Sequence, residues 1–223
     1  MSGPKFAPAD ALFLDGGRLI QIRRNLDSDE TEYRNEIDNN ARVISYGKSK
    51  SGPLSFRVWT KAGLILEYGF TENARVTLED GAIMVWACNK ISDTLGNYMT
   101  FEYTSNGTGD YNIRSIRHTG NDKQAVTPYA SIEFSYEDVS RPTVSYLAGH
   151  GIKKDKRLKE VKSLFGSRLM TEYRLRYEDT DSLYRFRLTS IQEFGADGRG
   201  FPATTFRYSE SRPGWTQAVD YIR

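Results

Sequence analysis

The sequence predicts an all-β fold, built of tandem antiparallel hairpins that form a large curved sheet or a β-shell segment. The first observation behind this is a phrase that occurs four times. Each copy opens on a Lys/Arg-to-Ile/Val run and closes on an aromatic-rich strand ending in Tyr. The copies run from Lys90 to Tyr103, from Arg114 to Tyr136, from Arg157 to Tyr177 and from Arg187 to Tyr208. In the closing strands, such as Ile132-Glu133-Phe134-Ser135-Tyr136, bulky residues alternate with polar ones, the period of a strand with one buried face. The second observation is compositional: 14 Tyr and 11 Phe exceed ordinary usage and suit a pleated surface. The third is that no helical stripe lasts longer than about two turns. Two-strand units in tandem describe a growing sheet, and such arrays are more often architecture than catalyst.

Along the chain, residues 1–9 read as a flexible lead-in. Ala11–Leu14, Asp15-Gly16-Gly17 and Arg18–Ile20 read as strand, glycine turn and returning strand. Asn25–Glu32 is polar and acidic, the composition of a loop, and short strands follow at Glu36–Asp38 and Arg42–Tyr46. Lys48–Pro53 is a loop. Phe56–Thr60 and Leu64–Gly69, joined by Lys61-Ala62-Gly63, make the clearest hairpin of the first half. Ser92–Asn97 and Ala196–Pro202 are turn chemistry, with Gly96 expected at positive φ. Ser105–Gly109, Asn121–Thr127 and Asp138–Gly151 read as the connections between repeats. Arg157–Phe165 is the best helical candidate, but it alternates nearly as well as it rotates, and its place in the repeat favours strand. In the repeats, Phe101, Tyr103, Phe134, Tyr136, Tyr173, Leu175, Tyr177, Phe206 and Tyr208 should take the more buried faces. Glu102, Glu133, Ser135, Arg174, Arg176 and Arg207 should be more exposed.

The chain has 223 residues and a formal net charge of +2, so its overall electrostatics give no reason to expect nucleic acid or an anionic membrane. No apolar run approaches the ~20 residues of a membrane-spanning helix. Cys88 is the only cysteine and cannot form a disulfide within the chain; it reads as a small strand hydrophobe. The first residues lack the apolar stretch of a secretory signal, so export would use another route or the chain would be a piece of a longer one.

Several of these segments, in this order, resemble the SpvB/TcaC-like region found near the N-terminus of toxin-complex B components. They are Phe56–Gly63 with Glu67-Tyr68-Gly69, Val85-Trp86, Lys90–Tyr98, His118–Asn121, Ser131–Glu137, Arg141-Pro142, Tyr146–Gly149, Glu193–Gly198 and Pro202–Tyr208. The likeness spans residues 10–209, and 210–223 would be a linker toward a following domain. It implies a module of a toxin-complex or Rhs-type protein that contributes to a β-shell or anchor holding or delivering a toxic segment. Implied partners are neighbouring β-propeller or Rhs/YD-repeat regions and toxin-complex subunits, and the implied location is secreted. Self-association through exposed strand edges is a further expectation.

Candidate chemistry is sparse. His118 and His150 lie in turn-like text without Cys or His at ligand spacing, so a solvated or turn-bonding role is favoured. The carboxylates from Asp27 to Glu32 lack the glycine and the later Glu of a calcium loop, and Glu30-Thr31-Glu32 echoes a transferase motif only superficially. The basic run Lys153–Lys159 with Lys162 reads as a solvated face, with an acidic protein partner as the next reading. Trp59 and Trp86 fit core packing better than a sugar platform, and Trp215 could anchor a next domain. No catalytic, cofactor-binding or metal-binding residue is assigned, and no enzyme activity or cofactor is expected. The leading function is a non-enzymatic structural scaffold. The alternative is a β-rich binding module for a glycan or cell-surface protein, and a hydrolase whose residues converge only in the fold is third.

Overall fold

The computed structural model describes residues 4–25, 27–180 and 186–208. Fourteen strands form one open antiparallel sheet in nearly sequential order. They begin with β1 (Phe13–Leu14), β2 (Gly17–Asn25), β3 (Glu30–Asn35), β4 (Arg42–Tyr46), β5 (Ser55–Trp59) and β6 (Ile65–Tyr68). A small separate hairpin, β7 (Arg75–Thr77) with β8 (Ile83–Trp86), is inserted before the sheet resumes. The resumption is β9 (Cys88–Ser92), β10 (Asn97–Ser105), β11 (Tyr111–Asn121) and β12 (Ala130–Leu147). It ends with β13 (His150–Phe165), β14 (Arg168–Asp179), β15 (Phe186–Gly195) and β16 (Thr204–Thr205). The four repeated phrases are the hairpins β9–β10, β11–β12, β13–β14 and β15–β16. The expected all-β array of tandem hairpins is therefore the observed fold.

The two halves of the sheet differ in what covers them. In the first half, Leu19, Ala41, Val43, Phe56 and Val58 form a buried cluster flanked by Leu14, Tyr33, Leu66, Tyr68 and Trp86. Trp86 reaches this core from the inserted hairpin, packing edge-on against Phe56 with its Nε1–H donating to Pro53 O. Ala74, Val76, Leu78, Ala82 and Ile83 are buried around that hairpin. Beyond residue 87, Ile152 is the one buried apolar side chain among the described residues. From β10 onward the bulky face is half-buried, because no second layer of regular structure lies over it among the described residues.

The expected alternation holds fully on β12 and in part on β14, and fails on β10 and at residues 206–208. On β12, Phe134 and Tyr136 are half-buried between exposed Glu133 and Ser135. On β14, Leu175 and Tyr177 are half-buried and Arg174 and Arg176 exposed, but Tyr173 is exposed and Glu172 is buried. On β10, Phe101, Glu102 and Tyr103 are equally half-buried. Phe206, Arg207 and Tyr208 are all exposed at the sheet's end, contrary to the expectation for the two aromatics.

Three connections differ from the sequence reading. The strand expected at Glu36–Asp38 ends at Asn35, and β3 begins at Glu30, inside the expected acidic loop. Thr31 and Asn35 are buried on this strand, so its inner face carries polar residues that pattern reading takes for loop. The expected connection Asp138–Gly151 is mostly ladder, because β12 and β13 stay paired out to Leu147 and His150. Ala148 and Gly149, at φ 50 and 85, close that hairpin with the two positive-φ positions of its tight turn. The third is the β7–β8 hairpin, of which the sequence shows only the Val85-Trp86 end.

Candidate docking surface

The half-buried face from β9 to β16 is built from one repeated joint. In each hairpin the ladder reaches a last pair: Lys90 with Thr100, Ser115 with Glu133, Glu160 with Arg174, Ser190 with Thr205. Two residues before the first member stands Cys88, Ile113, Leu158 or Leu188. Three residues after the second stands Tyr103, Tyr136, Tyr177 or Tyr208. The tyrosine hydroxyl donates to the carbonyl of that earlier residue in all four units, at 2.7, 2.8, 2.6 and 2.8 Å. The ring thus bridges the wedge where the two strands of one hairpin part.

The parting has a local cause. Asn89, Arg114, Lys159 and Thr189 are each skipped when the strand carrying them pairs with the strand before it. In those pairings Tyr68 faces Cys88, Tyr103 faces Ile113, Tyr136 faces Leu158 and Tyr177 faces Leu188. A β-bulge of this kind bends its strand and disrupts the local ladder. It also puts residues three apart on one face. Ile113 and Ile116 pair with Tyr103 and Phe101, and Leu158 and Val161 pair with Tyr136 and Phe134. This explains why Arg157–Phe165 looks partly helical as text: Leu158 and Val161 carry a spacing of three produced by Lys159. Burial pushes the Tyr103 hydroxyl up to about 12 and raises those of Tyr136 and Tyr177. These groups act as hydrogen-bond donors and remain neutral near neutral pH.

The opposite face is ionic. Glu172 is buried and takes two bonds from Arg174, at 2.7 and 3.1 Å, while Lys162 bonds Glu160 at 2.8 Å and lies 4.0 Å from Glu172. The Arg174 bonds hold the Glu172 carboxyl below its ordinary range despite burial. Arg174 also lies 4.2 Å from the centre of the Phe194 ring. The sheet therefore has one aromatic, hydroxyl-pinned face and one face of paired charges.

The candidate polar residues are dispersed. His118 pairs with Ala130 near one end of β11–β12, whereas His150 opens β13 at the far hairpin turn and meets Phe6 edge-on. Asp29 pairs with Lys48, and Glu32 pairs with Arg34 and Arg42. Among the described residues no three His, Cys, Asp or Glu side chains are grouped to hold a metal ion. Cys88 sits at the first joint, where burial pushes its thiol up to about 11, so at neutral pH it stays a thiol. Trp86 is half-buried against the core cluster, and Trp59 is half-buried under the Arg42 and Arg57 guanidiniums, 5.3 and 6.0 Å from its ring centre. Trp215 lies outside the described residues, as does 210–223. An open groove of about 790 Å³ runs beside β7–β8, lined by residues including Ser49, Thr71, Asn73, Arg75 and Ser105. Ser49 Oγ donates to Gly52 O, Thr71 Oγ1 to Asn73 Oδ1 and Ser105 Oγ to Asp110 O, so these groups are spent internally.

The sequence reading found the tyrosines but missed the bulges that give them partners. The available signal was the spacing of three in Cys88–Ile91, Ile113–Ile116, Leu158–Val161 and Leu188–Ile191, inside strands that otherwise alternate.

The sequence profile described as Salmonella virulence plasmid 65kDa B protein matches residues 21–149, more than half of the chain. The chain belongs to the SpvB family. None of the curated proteins matches the sequence. Among solved structures, the N-terminal domain of effector protein SpvB from Salmonella typhimurium strain LT2 superposes with a TM-score of 0.72 at 13% identity. That match covers 86% of this chain and 83% of that one. The TcdB2-TccC3-Cdc42 crystal structure gives a TM-score of 0.74 at 13% identity over 95% of this chain. The Photorhabdus luminescens Tc holotoxin pore carrying TccC3-D651A gives 0.74 at 13% over 92%. This SpvB-family chain spans only 14% and 13% of those two chains. At this identity the likeness is one of fold, and it agrees with the resemblance carried by the ordered segments.

Proposed function

We propose that this chain is a non-enzymatic scaffold module of a toxin-complex or Rhs-type protein, working as a secreted particle's wall or anchor. The observation that carries the reading is the fourfold tyrosine–bulge joint. In the first three units the tyrosine is flanked by the strand of the next unit, and Tyr103, Tyr136 and Tyr177 are half-buried. In the fourth, Tyr208 forms the same hydroxyl bond yet is 46% exposed, and Phe206 beside it is 38% exposed. A joint that repeats without closing the sheet is a means of adding strands, and its last copy is a ready position for another β-element. Neighbouring β-propeller or Rhs/YD-repeat sequence and toxin-complex subunits are partners with the required strands. The family match and the fold shared with TcdB2-TccC3 assemblies support the reading.

Light scattering across protein concentration tests it. The chain should self-associate as concentration rises, through the edge at Phe206 and Tyr208, and Tyr208→Asp should return it to monomer. A chain that stays monomeric at every concentration and binds selectively on a glycan array would replace this reading with that of an autonomous binding module.

A further inference from the structure

Strands β12 and β13 run on beyond the sheet as a two-stranded arm. β12 is laddered to β11 only over Ala130–Glu133, and β13 to β14 only over Glu160–Phe165, whereas their own ladder continues to the turn at Leu147 and His150. Within the arm the register steps between Asp138 and Thr143, so residues 139–142 are set out of the ladder, where Pro142 needs no ladder donor. The far end of the arm closes onto the inserted hairpin. Ile152 is buried beside Gly109, whose absent β-carbon would lie 3.2 Å from Ile152 and 3.1 Å from Leu78, just beyond β7. The other side of the arm meets solvent, with Tyr146 79% exposed.

One polar tie of this closure is Asn106, on the turn between β10 and β11. Its Nδ2 donates to Lys153 O at 3.2 Å. Its Oδ1 accepts the Thr108 N–H at 3.0 Å and the Thr108 hydroxyl at 2.7 Å. The N–H of the next residue, Gly107, donates to Ser105 Oγ at 3.2 Å. Asn106 is exposed, and Ser105 and Gly107 line the open groove beside β7–β8, so water reaches the turn. Asn106-Gly107 is also the only Asn-Gly pair in the chain.

These contacts prepare an intramolecular reaction. The bond from the Thr108 N–H curls the Asn106 carboxamide back over the 106–107 peptide, the side on which the Gly107 nitrogen stands. Glycine leaves that nitrogen unshielded by a side chain. Two donors on Oδ1 polarise the carbonyl and stabilise the negative charge that attack would place on this oxygen.

We propose that Asn106 is a self-modifying site, at which the Gly107 nitrogen attacks Asn106 Cγ, closes a cyclic imide and expels Nδ2 as ammonia. The proton of the Gly107 N–H leaves with the ammonia. Water then opens the ring, giving its hydroxyl to one carbonyl carbon and its proton to the nitrogen. The product is aspartate at this position or its β-linked isomer. Either product puts a carboxylate oxygen where Nδ2 faced Lys153 O, two acceptors with no proton between them. The modification therefore unties the arm from the turn, and it is separate from the strand-adding edge at Tyr208.

The test incubates the whole folded chain in mildly alkaline buffer and maps its peptides by mass spectrometry over time. Asn106 should convert before any other asparagine and give both products. Thr108→Val keeps the backbone donor and loses the hydroxyl, so it should slow conversion several-fold. Asn106→Gln, whose ring would need one more atom, should stay unmodified over the same time. The Gly109 amide, bonded to Thr77 O at 2.9 Å beneath Ile152, reports on the closure. It should exchange hydrogen several-fold faster in the aged chain and in Asn106→Asp than in the fresh parent, with β4 and β5 unchanged. Conversion of another asparagine ahead of Asn106, an undiminished rate in Thr108→Val, equal Gly109 exchange in Asn106→Asp and parent, or a rise spread over β4 and β5 would each overturn the proposal.

Discussion

Replacing Tyr136 with Phe deletes one oxygen and keeps the ring that fills the wedge between β11 and β12. That oxygen donates to Ile113 O at 2.8 Å, beside the bulge at Arg114. A net hydrogen bond contributes about 0.5–1.5 kcal/mol. Because Tyr136 is half-buried, water can partly replace the lost donor, which places the expected loss at about 1 kcal/mol. In a chain of this size that corresponds to a fall of about 2–4 °C in the melting midpoint. Urea unfolding is the more direct assay: the midpoint should drop while the slope stays constant, the signature of lost stability without a changed unfolded state. Tyr146→Phe is the control, since its exposed hydroxyl should matter by no more than about 0.5 kcal/mol. Tyr103→Phe and Tyr177→Phe should each resemble Tyr136→Phe. Their effects should add, because four strand spacings of about 4.8 Å separate them. If Tyr136→Phe unfolds at the same urea concentration as Tyr146→Phe, the hydroxyls are not structural joints and the argument from the repeated bond fails.

Gly96→Val should destabilise by about 1–3 kcal/mol through backbone strain at a positive φ. Gly96 sits at φ 91, and a β-carbon there would stand 2.8 Å from Lys123 Cγ, so an unchanged unfolding midpoint would contradict the turn assignment. Glu172 supplies a pH test: the Arg174 bonds lower its folded-state pKa, so its contribution is present above its ordinary 4.5 and lost as pH falls through the folded value. Glu172→Gln should therefore reduce stability at neutral pH and flatten its decline in acid, and equal acid slopes in parent and variant would refute the assignment.

The sequence by itself determined the class of fold and the repeat unit. Alternation in Ile132–Tyr136, with turn residues such as Gly96, specifies strands and reversals through local sterics, and local sterics are written residue by residue. It also marked the tyrosines that close each unit, and enough ordered text to place the family. Tertiary structure decided the rest. Which carbonyl Tyr136 bonds depends on a bulge 22 residues earlier, at Arg114, and a bulge is a property of two paired strands that neither strand shows alone. The arm was illegible because the polar text and Pro142 of residues 138–151 suit a loop as well as a ribbon whose outer face meets solvent. Glu172, expected on no particular face, became buried only because Arg174 folds back on it and Lys162 sits across the strand. Exposure of Tyr208 was likewise undecidable from its phrase, since burial of an edge residue depends on whether a further strand stands beside it.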